Sequence, residues 1–115
     1  MTEKEKIEKV CHVFDCYIKQ HKNLDLVKSK YGYLVLFANE NTRAISDASI
    51  YTTAEEICSV ILDCMTQDFL YEKNLEGLLI PKEYISEFFD CIRKYLSQLP
   101  EYTYLIERCI EVENR

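Results

Sequence analysis

Residues 31–65, YGYLVLFANENTRAISDASIYTTAEEICSVILDCM, predict a strand, a turn, a second strand and then the most apolar helix of the chain. Tyr33–Ala38 is a short, continuous apolar run between Gly32 and the turn formers of residues 39–42, which favours a strand over a piece of buried helix. A weaker apolar pattern over residues 44–51 predicts the return strand of an antiparallel hairpin.

The helix that follows the hairpin is predicted to run from Thr53 to about Lys73. Thr53 and Glu56 have the spacing of a capping box, which satisfies the first free amides of a helix. Its apolar positions cover most of the circumference: Ile57, Cys58, Val60, Ile61, Leu62, Cys64, Met65 and Phe69. Its polar strip is narrow: Glu56, Ser59, Asp63 and Thr66. A helix that is apolar nearly all round is buried. Gly77 is a candidate for the left-handed residue after this helix.

Helix signals also mark both ends of the chain. Thr2 and Glu5 repeat the capping-box spacing and open a helix that ends near Gln20 or His21. Pro81 fits the first turn of another helix, which Pro100 stops because the residue before proline avoids helical geometry. A final helix is predicted over Glu101–Glu113. Two segments stay open: Leu24–Lys28 is an extra strand or a loop, and Leu78–Ile80 plugs a core or forms a sticky surface segment or edge strand.

These elements predict an α+β, mostly helical fold for residues 1–115 as a single globular domain. It comprises an N-terminal helix, a small antiparallel β-hairpin or meander, a buried central helix and a C-terminal antiparallel helix pair. An isolated hairpin is marginally stable in water, so the central helix is its expected support.

Charge and composition exclude several classes of function. The net charge is −6, and residues 39–77 alone carry that excess, so no basic stripe exists to bind a phosphate backbone. The acidity is explained either by solubility or by an acidic face for a basic partner. The apolar runs are too short to span a membrane, and the charged N-terminus is not a signal peptide, so the cytoplasm is predicted. Ten Lys against four Arg, and eleven Ile against four Ala, indicate an AT-rich bacterial genome.

The six cysteines do not have the spacing of a zinc or redox motif, because no C-x-x-C occurs. Most of them fall on or beside apolar helix faces and are predicted to be small core residues. His12 and Cys16 are separated by one helical turn on a polar side, which could supply two ligands to a soft metal, although two further ligands are missing. His21 is predicted to be a hydrogen-bonded core imidazole. We therefore predict no metal site and no cofactor.

No catalytic residue is predicted. The chain contains no nucleophile elbow, no Gly-rich phosphate loop and no H-E-x-x-H motif. Asp63 is assigned to the polar strip of its helix. Asp68 follows the apolar positions of that helix and could face a ligand pocket, although a buried, paired acid is commoner than a catalyst.

Tyrosine is the residue type that points to a function, since it is favoured at half-wet protein interfaces. The predicted interaction surface comprises Tyr31, Tyr33, Tyr51, Tyr102 and Tyr104. The alternative for these residues is the partly buried rim of a core. The hypothesis is a small non-enzymatic interaction or regulatory protein that binds a protein partner or a second copy of itself. The alternative is an enzyme or ligand-binding domain with a site between the hairpin and the central helix, around Tyr33, Tyr51 and Asp68.

Overall fold

The computed structural model describes residues 1–112 and divides into two compact units, Met1–Ile57 and Cys58–Arg115. In chain order the elements are α1 (Glu3–Val13), α2 (Asp15–Gln20), β1 (Leu24–Ser29), β2 (Gly32–Ala38), β3 (Ile45–Tyr51), α3 (Ala54–Glu72), a short 3-10 turn (Lys82–Tyr84), α4 (Ile85–Leu96) and a 3-10 helix (Pro100–Arg108). The predicted α+β, mostly helical class is confirmed. Within residues 1–112, no helix has both the length and the apolar character that crossing a membrane requires.

The N-terminal helix of the first unit is interrupted once. The Thr2 hydroxyl accepts a hydrogen bond from the Glu5 amide, as the capping-box spacing predicts. The fully buried Phe14 separates α1 from α2, but its amide donates to the Val10 carbonyl, so the helical bonding pattern nearly continues. His21 ends α2: its Nδ1 accepts hydrogen bonds from the amides of Asn23 and Leu24 at 3.1 and 3.0 Å. His21 therefore has a structural role at the start of β1.

The three strands form an antiparallel meander in the order β1-β2-β3. The segment Leu24–Lys28, for which the sequence allowed a strand or a loop, is part of a strand. A hydrogen bond to a residue far along the sequence stabilises the start of β1: the Asn23 side-chain amide donates to the Ala38 carbonyl at 2.8 Å. The β1–β2 turn ends at Gly32, whose φ of +141° suits glycine, and a Cβ there would lie 2.7 Å from the Tyr51 carbonyl oxygen.

The inner face of the sheet lies toward α1. Leu24 and Val35 are buried on this face, and successive strand residues alternate between the two faces. Tyr33 is on the same side as Val35 and lies near Cys11 and Glu8 of α1. Val35 is only 2% exposed, so the covered face of β2 forms part of the core.

Helix α3 begins in the first unit and continues into the second. The Thr53 hydroxyl accepts from the Glu56 amide at 3.2 Å and donates to the Glu56 carboxylate, which confirms the predicted cap. The prediction of a buried central helix is also confirmed: ten of its side chains are buried, namely Ala54, Ile57, Cys58, Ile61, Leu62, Cys64, Met65, Thr66, Phe69 and Leu70. Thr66 was assigned to the polar strip, and that assignment is wrong. Its hydroxyl is satisfied inside the helix by donating to the Leu62 carbonyl at 2.8 Å.

The residue that terminates α3 is Asn74 rather than Gly77. Asn74 has a φ of +57°, its amide donates to the Tyr71 carbonyl, and the Leu75 amide donates to the Leu70 carbonyl. This pair of bonds is a Schellman motif. Gly77 also has a positive φ, of 104°, but it lies in the following loop, where a Cβ would meet nothing within 4 Å.

In the second unit, the predicted final helix over Glu101–Glu113 is present, but it is a 3-10 helix and it ends earlier than predicted. Residues Pro100–Arg108 form a 3-10 helix, and Glu113 lies outside the described residues. Backbone bonds to Ile80 explain where the helix stops: the Ile80 amide donates to the Cys109 carbonyl, and the Glu111 amide donates to the Ile80 carbonyl. Ile80 is fully buried and plugs the core, whereas Leu78 is exposed.

Helix α4 supplies the rest of that core. It begins at Ile85, after the 3-10 turn that follows Pro81, and ends at Leu96. The Phe88 ring packs edge-on against Phe69 of α3, with the ring centroids 5.4 Å apart. Edge-to-face packing adds to the free energy that the burial of two aromatic rings contributes.

Candidate interaction surface

The outer face of the sheet, opposite α1, is apolar. The register places Val27, Leu34 and Ile50 side by side across the three strands. The next row on this face contains Leu36 and Ala48 beside Asp25. An antiparallel sheet with one solvated face normally carries polar side chains there. The outer face therefore departs from the pattern of a sheet that is covered on one side only.

These outer-face side chains are accessible. Val27 is 41% exposed and Ile50 is 44% exposed, while Leu34 and Leu36 of the central strand are half-buried. The apolar surface continues past a β-bulge, where Ile45 of β3 pairs with Ala38 of β2. At the bulge, the Ser46 hydroxyl donates to the Phe37 carbonyl. Contiguous exposed apolar surface of this kind marks sites of protein contact. We call the surface formed by these residues the outer face: Val27, Leu34, Leu36, Ala38, Ile45, Ala48 and Ile50.

Charged groups lie at opposite ends of the outer face. Asp25 occupies the β1 position beside Leu36, near one end of the strands. Lys30 lies at the other end, in the β1–β2 turn, with its Nζ 5.0 Å from the centroid of the Tyr31 ring. The Tyr31 side chain is 70% exposed. Among the paired strand positions, Asp25 is the charged residue on the outer face, and Lys30 lies in the turn at the opposite end of the strands.

Strand β3 also exposes its outer edge. All its residues are exposed or half-buried, and the strand contains no Lys and no Pro. Lysine and proline are common devices that prevent an edge strand from pairing with another chain. The bulge near Ile45 interrupts this edge, so only the stretch Asp47–Tyr51 has the regular pairing geometry that another strand would need.

The five tyrosines of the predicted surface are divided between the two units. Tyr33 and Tyr51 are directly opposed on β2 and β3, on the inner face, and burial raises the pKa of the Tyr33 hydroxyl. Tyr31 is exposed at the turn. Tyr104 is exposed in the second unit, whereas Tyr102 is buried there and belongs to the core.

Sequence reasoning missed the aliphatic members of the outer face, although a signal for them was present. The run Tyr33–Ala38 is apolar at every position, and strands of that kind are typically covered on both faces. One cover is α1, on the side of Val35. The other face of the same strand, with Leu34 and Leu36, is the one that stays accessible.

The pocket predicted around Tyr33, Tyr51 and Asp68 stays a prediction, because Asp68 belongs to a different unit from the two tyrosines. A groove of about 270 Å³ is present in the second unit instead. It is lined by Phe89, Ile92, Arg93, Leu96, Ser97, Thr103 and Ile106. Burial raises the pKa of the Asp63 carboxyl, opposed by the charge of Arg108, but Asp63 does not line this groove.

The cysteines differ in burial and in the pKa of their thiols. Burial raises the pKa of Cys58 and Cys64 to about 12 and that of Cys11 to about 11, and it also raises the pKa of Cys109. Cys58, Cys64 and Cys109 are buried, so their assignment to the core is confirmed, whereas Cys11 is only partly buried. His12 and Cys16 are exposed, and within residues 1–112 no three potential metal ligands come together.

Thiol labelling is expected to separate the two groups. Cys16 and Cys91 are exposed, so a neutral-pH disulfide reagent such as DTNB should modify these two thiols rapidly in the native protein. The other four should react only after denaturation, because the thiolate is the nucleophile and burial disfavours it. The Cys16→Ser and Cys91→Ser substitutions should each remove one fast equivalent. A third fast thiol in the native protein would contradict this division.

No family model, curated protein or solved structure matches this chain.

Proposed function

We propose that the protein is a small non-enzymatic interaction or regulatory protein whose working surface is the outer face of the sheet. The observation that supports this proposal is the row Val27, Leu34 and Ile50, which presents three aliphatic side chains where a solvated sheet face would carry polar ones. A binding partner would remove this apolar area from water, and each large aliphatic side chain that becomes fully buried contributes roughly 1.5–3 kcal/mol. The side chains here are partly buried already, so each would contribute less.

The proposed setting is the bacterial cytoplasm. The six cysteines are free thiols, as expected in a reducing compartment. The net charge of −6 and the lack of a basic stripe in the sequence favour protein over nucleic acid as the partner. The lysine- and isoleucine-rich composition supports a bacterial source.

Affinity capture with matched baits tests the proposal. Wild-type protein, Val27→Lys, Ile50→Lys and the control Tyr71→Lys are each used to capture proteins from an extract that also contains a differently tagged copy of the chain. Tyr71 is exposed in the second unit, so its replacement adds the same charge without altering any residue of the outer face. We expect a specific protein, or the tagged copy, to be retained by wild type and control and lost with both outer-face variants. Equal retention by all four baits would contradict the proposal.

The groove of the second unit favours an alternative function, the binding of a small apolar ligand. An apolar cavity of about 150 Å³ can bind benzene, so a groove of about 270 Å³ has room for a small ligand. The fluorescent probe anilinonaphthalene sulfonate should then brighten with wild type and lose that signal with Ile106→Trp, which fills the groove. Unchanged fluorescence on adding wild-type protein would contradict this alternative.

A further inference from the structure

We infer that a second copy of this chain covers the outer face, with the two sheets packed face to face and their strands running in opposite directions. This inference rests on the proposed function and specifies its partner. The two-fold axis would lie between the sheets, perpendicular to the strands, and would pass near the row of Val27, Leu34 and Ile50. Each strand then lies over the same strand of the partner, as an isologous interface requires.

Shape supports this arrangement. The axis brings the central apolar row against the same row of the partner, so the most exposed aliphatic side chains become the centre of the interface. On each strand, a residue two positions before the row then lies over the residue two positions after the row in the partner subunit. On β2, Leu36 is placed over Gly32 of the partner subunit. Gly32 has no side chain that could clash with this leucine.

Charge supports the same orientation. Asp25 lies two residues before Val27 and is placed over Ser29 of the partner subunit, next to Lys30 of the partner subunit. The symmetry generates this acid–base pair twice. An axis parallel to the strands would instead place Asp25 over Ala48 of the partner subunit, and its charge would have no base opposite. Opposite charges across an interface set its register and orientation.

The area of the outer face limits the affinity that we expect for the dimer. Three strands about 4.8 Å apart, one of six and two of seven residues at about 3.4 Å per residue, give a face of at most roughly 14 by 24 Å. That footprint, on the order of 340 Å² per copy, is well below the roughly 800 Å² per partner of a standard stable interface. The dimer should therefore be weak and in concentration-dependent exchange with monomer.

Sedimentation equilibrium of the full chain, from low micromolar to near-millimolar concentration, tests the surface. Wild type and the Tyr71→Lys control should shift from monomer toward dimer as concentration rises. Val27→Lys and Ile50→Lys should each weaken the dimer by about a hundredfold or more, because two lysines would meet at the two-fold axis. Thermal melts check that both variants fold. A wild type that remains monomeric, or a dimer that ignores both substitutions, would overturn the inference; the latter would indicate pairing through another surface such as the β3 edge.

A charge exchange tests the orientation. Asp25→Lys alone and Lys30→Asp alone should each weaken the dimer by about tenfold, since two exposed pairs change from attractive to repulsive. An equal mixture of the two variants should recover the wild-type affinity. In the mixed dimer the lysine introduced at position 25 faces the aspartate introduced at position 30, and the unchanged Asp25 faces the unchanged Lys30. A mixture no tighter than its components would overturn the stated geometry.

These results separate the inference from the proposed function. A monomeric wild type, together with an extract protein that Val27→Lys and Ile50→Lys lose selectively, would overturn the second copy as partner and leave the outer face as the working surface. A monomer whose captured proteins do not depend on these residues would overturn both.

Discussion

Replacing Val35 with aspartate is expected to lower the free energy of unfolding by more than about 4 kcal/mol, a loss that single substitutions reach only when they severely disrupt a core. Val35 is 2% exposed on the covered face of the central strand, so the new carboxylate would be removed from water. Small domains have only about 5–15 kcal/mol of stability in total. Urea unfolding followed by circular dichroism should therefore show a greatly weakened transition or none.

The neighbouring residue on the same strand provides the control. Leu34→Asp places the same carboxylate on the outer face, where it stays in contact with water, and should cost only about 1 kcal/mol, the span of strand propensities. The two substitutions differ by a single position along β2, so their contrast reports which face is covered. Equal losses of stability at dilute protein concentration would contradict the assignment of an accessible outer face.

Replacing Phe88 with alanine is expected to lower the free energy of unfolding by about 3–5 kcal/mol. The Phe88 ring is 1% exposed in the second unit, and the substitution removes both its apolar area and its edge-on contact with Phe69. The cavity left behind adds to the loss because the surrounding side chains relax only partly. Chemical denaturation of the purified variant measures the effect.

The adjacent Phe89 is the matched control for this core substitution. Phe89 is half-buried and lines the groove, so Phe89→Ala should cost about 1–2 kcal/mol, in proportion to the smaller area that it removes. A loss at Phe89 as large as that at Phe88 would show that the groove is closed in solution.

The buried helix could be predicted because its signal is local. The apolar spacing of Ile57 to Phe69 covers most of the helix circumference, and Thr53 with Glu56 marks its start. Strand β1 could not be settled in the same way, since its start depends on a hydrogen bond from Asn23 to Ala38, fifteen residues away. The 3-10 type of the last helix could not be predicted either, and the reason is related. The apolar positions Tyr102, Leu105 and Ile106 suit both a 3-10 and an α-helical turn, and the backbone bonds with Ile80 lie far along the sequence.

The interaction surface was only partly predictable. The hairpin region was identified, but from the tyrosines, of which Tyr33 and Tyr51 point to the covered face. An apolar run such as Tyr33–Ala38 shows that both faces of a strand are apolar, but not which one the chain itself covers. That depends on where α1 packs.

Hydroxyl-radical footprinting with mass spectrometry, at a protein concentration far below any self-association, measures the accessibility of individual aliphatic side chains. Val27 and Ile50 should be oxidised readily, and Val35 and Leu24 should be protected, so that reactivity alternates between the two faces of the sheet. If Val27 and Ile50 were as protected as Val35 in the dilute monomer, the chain itself would cover the outer face, and no surface for a partner would remain there.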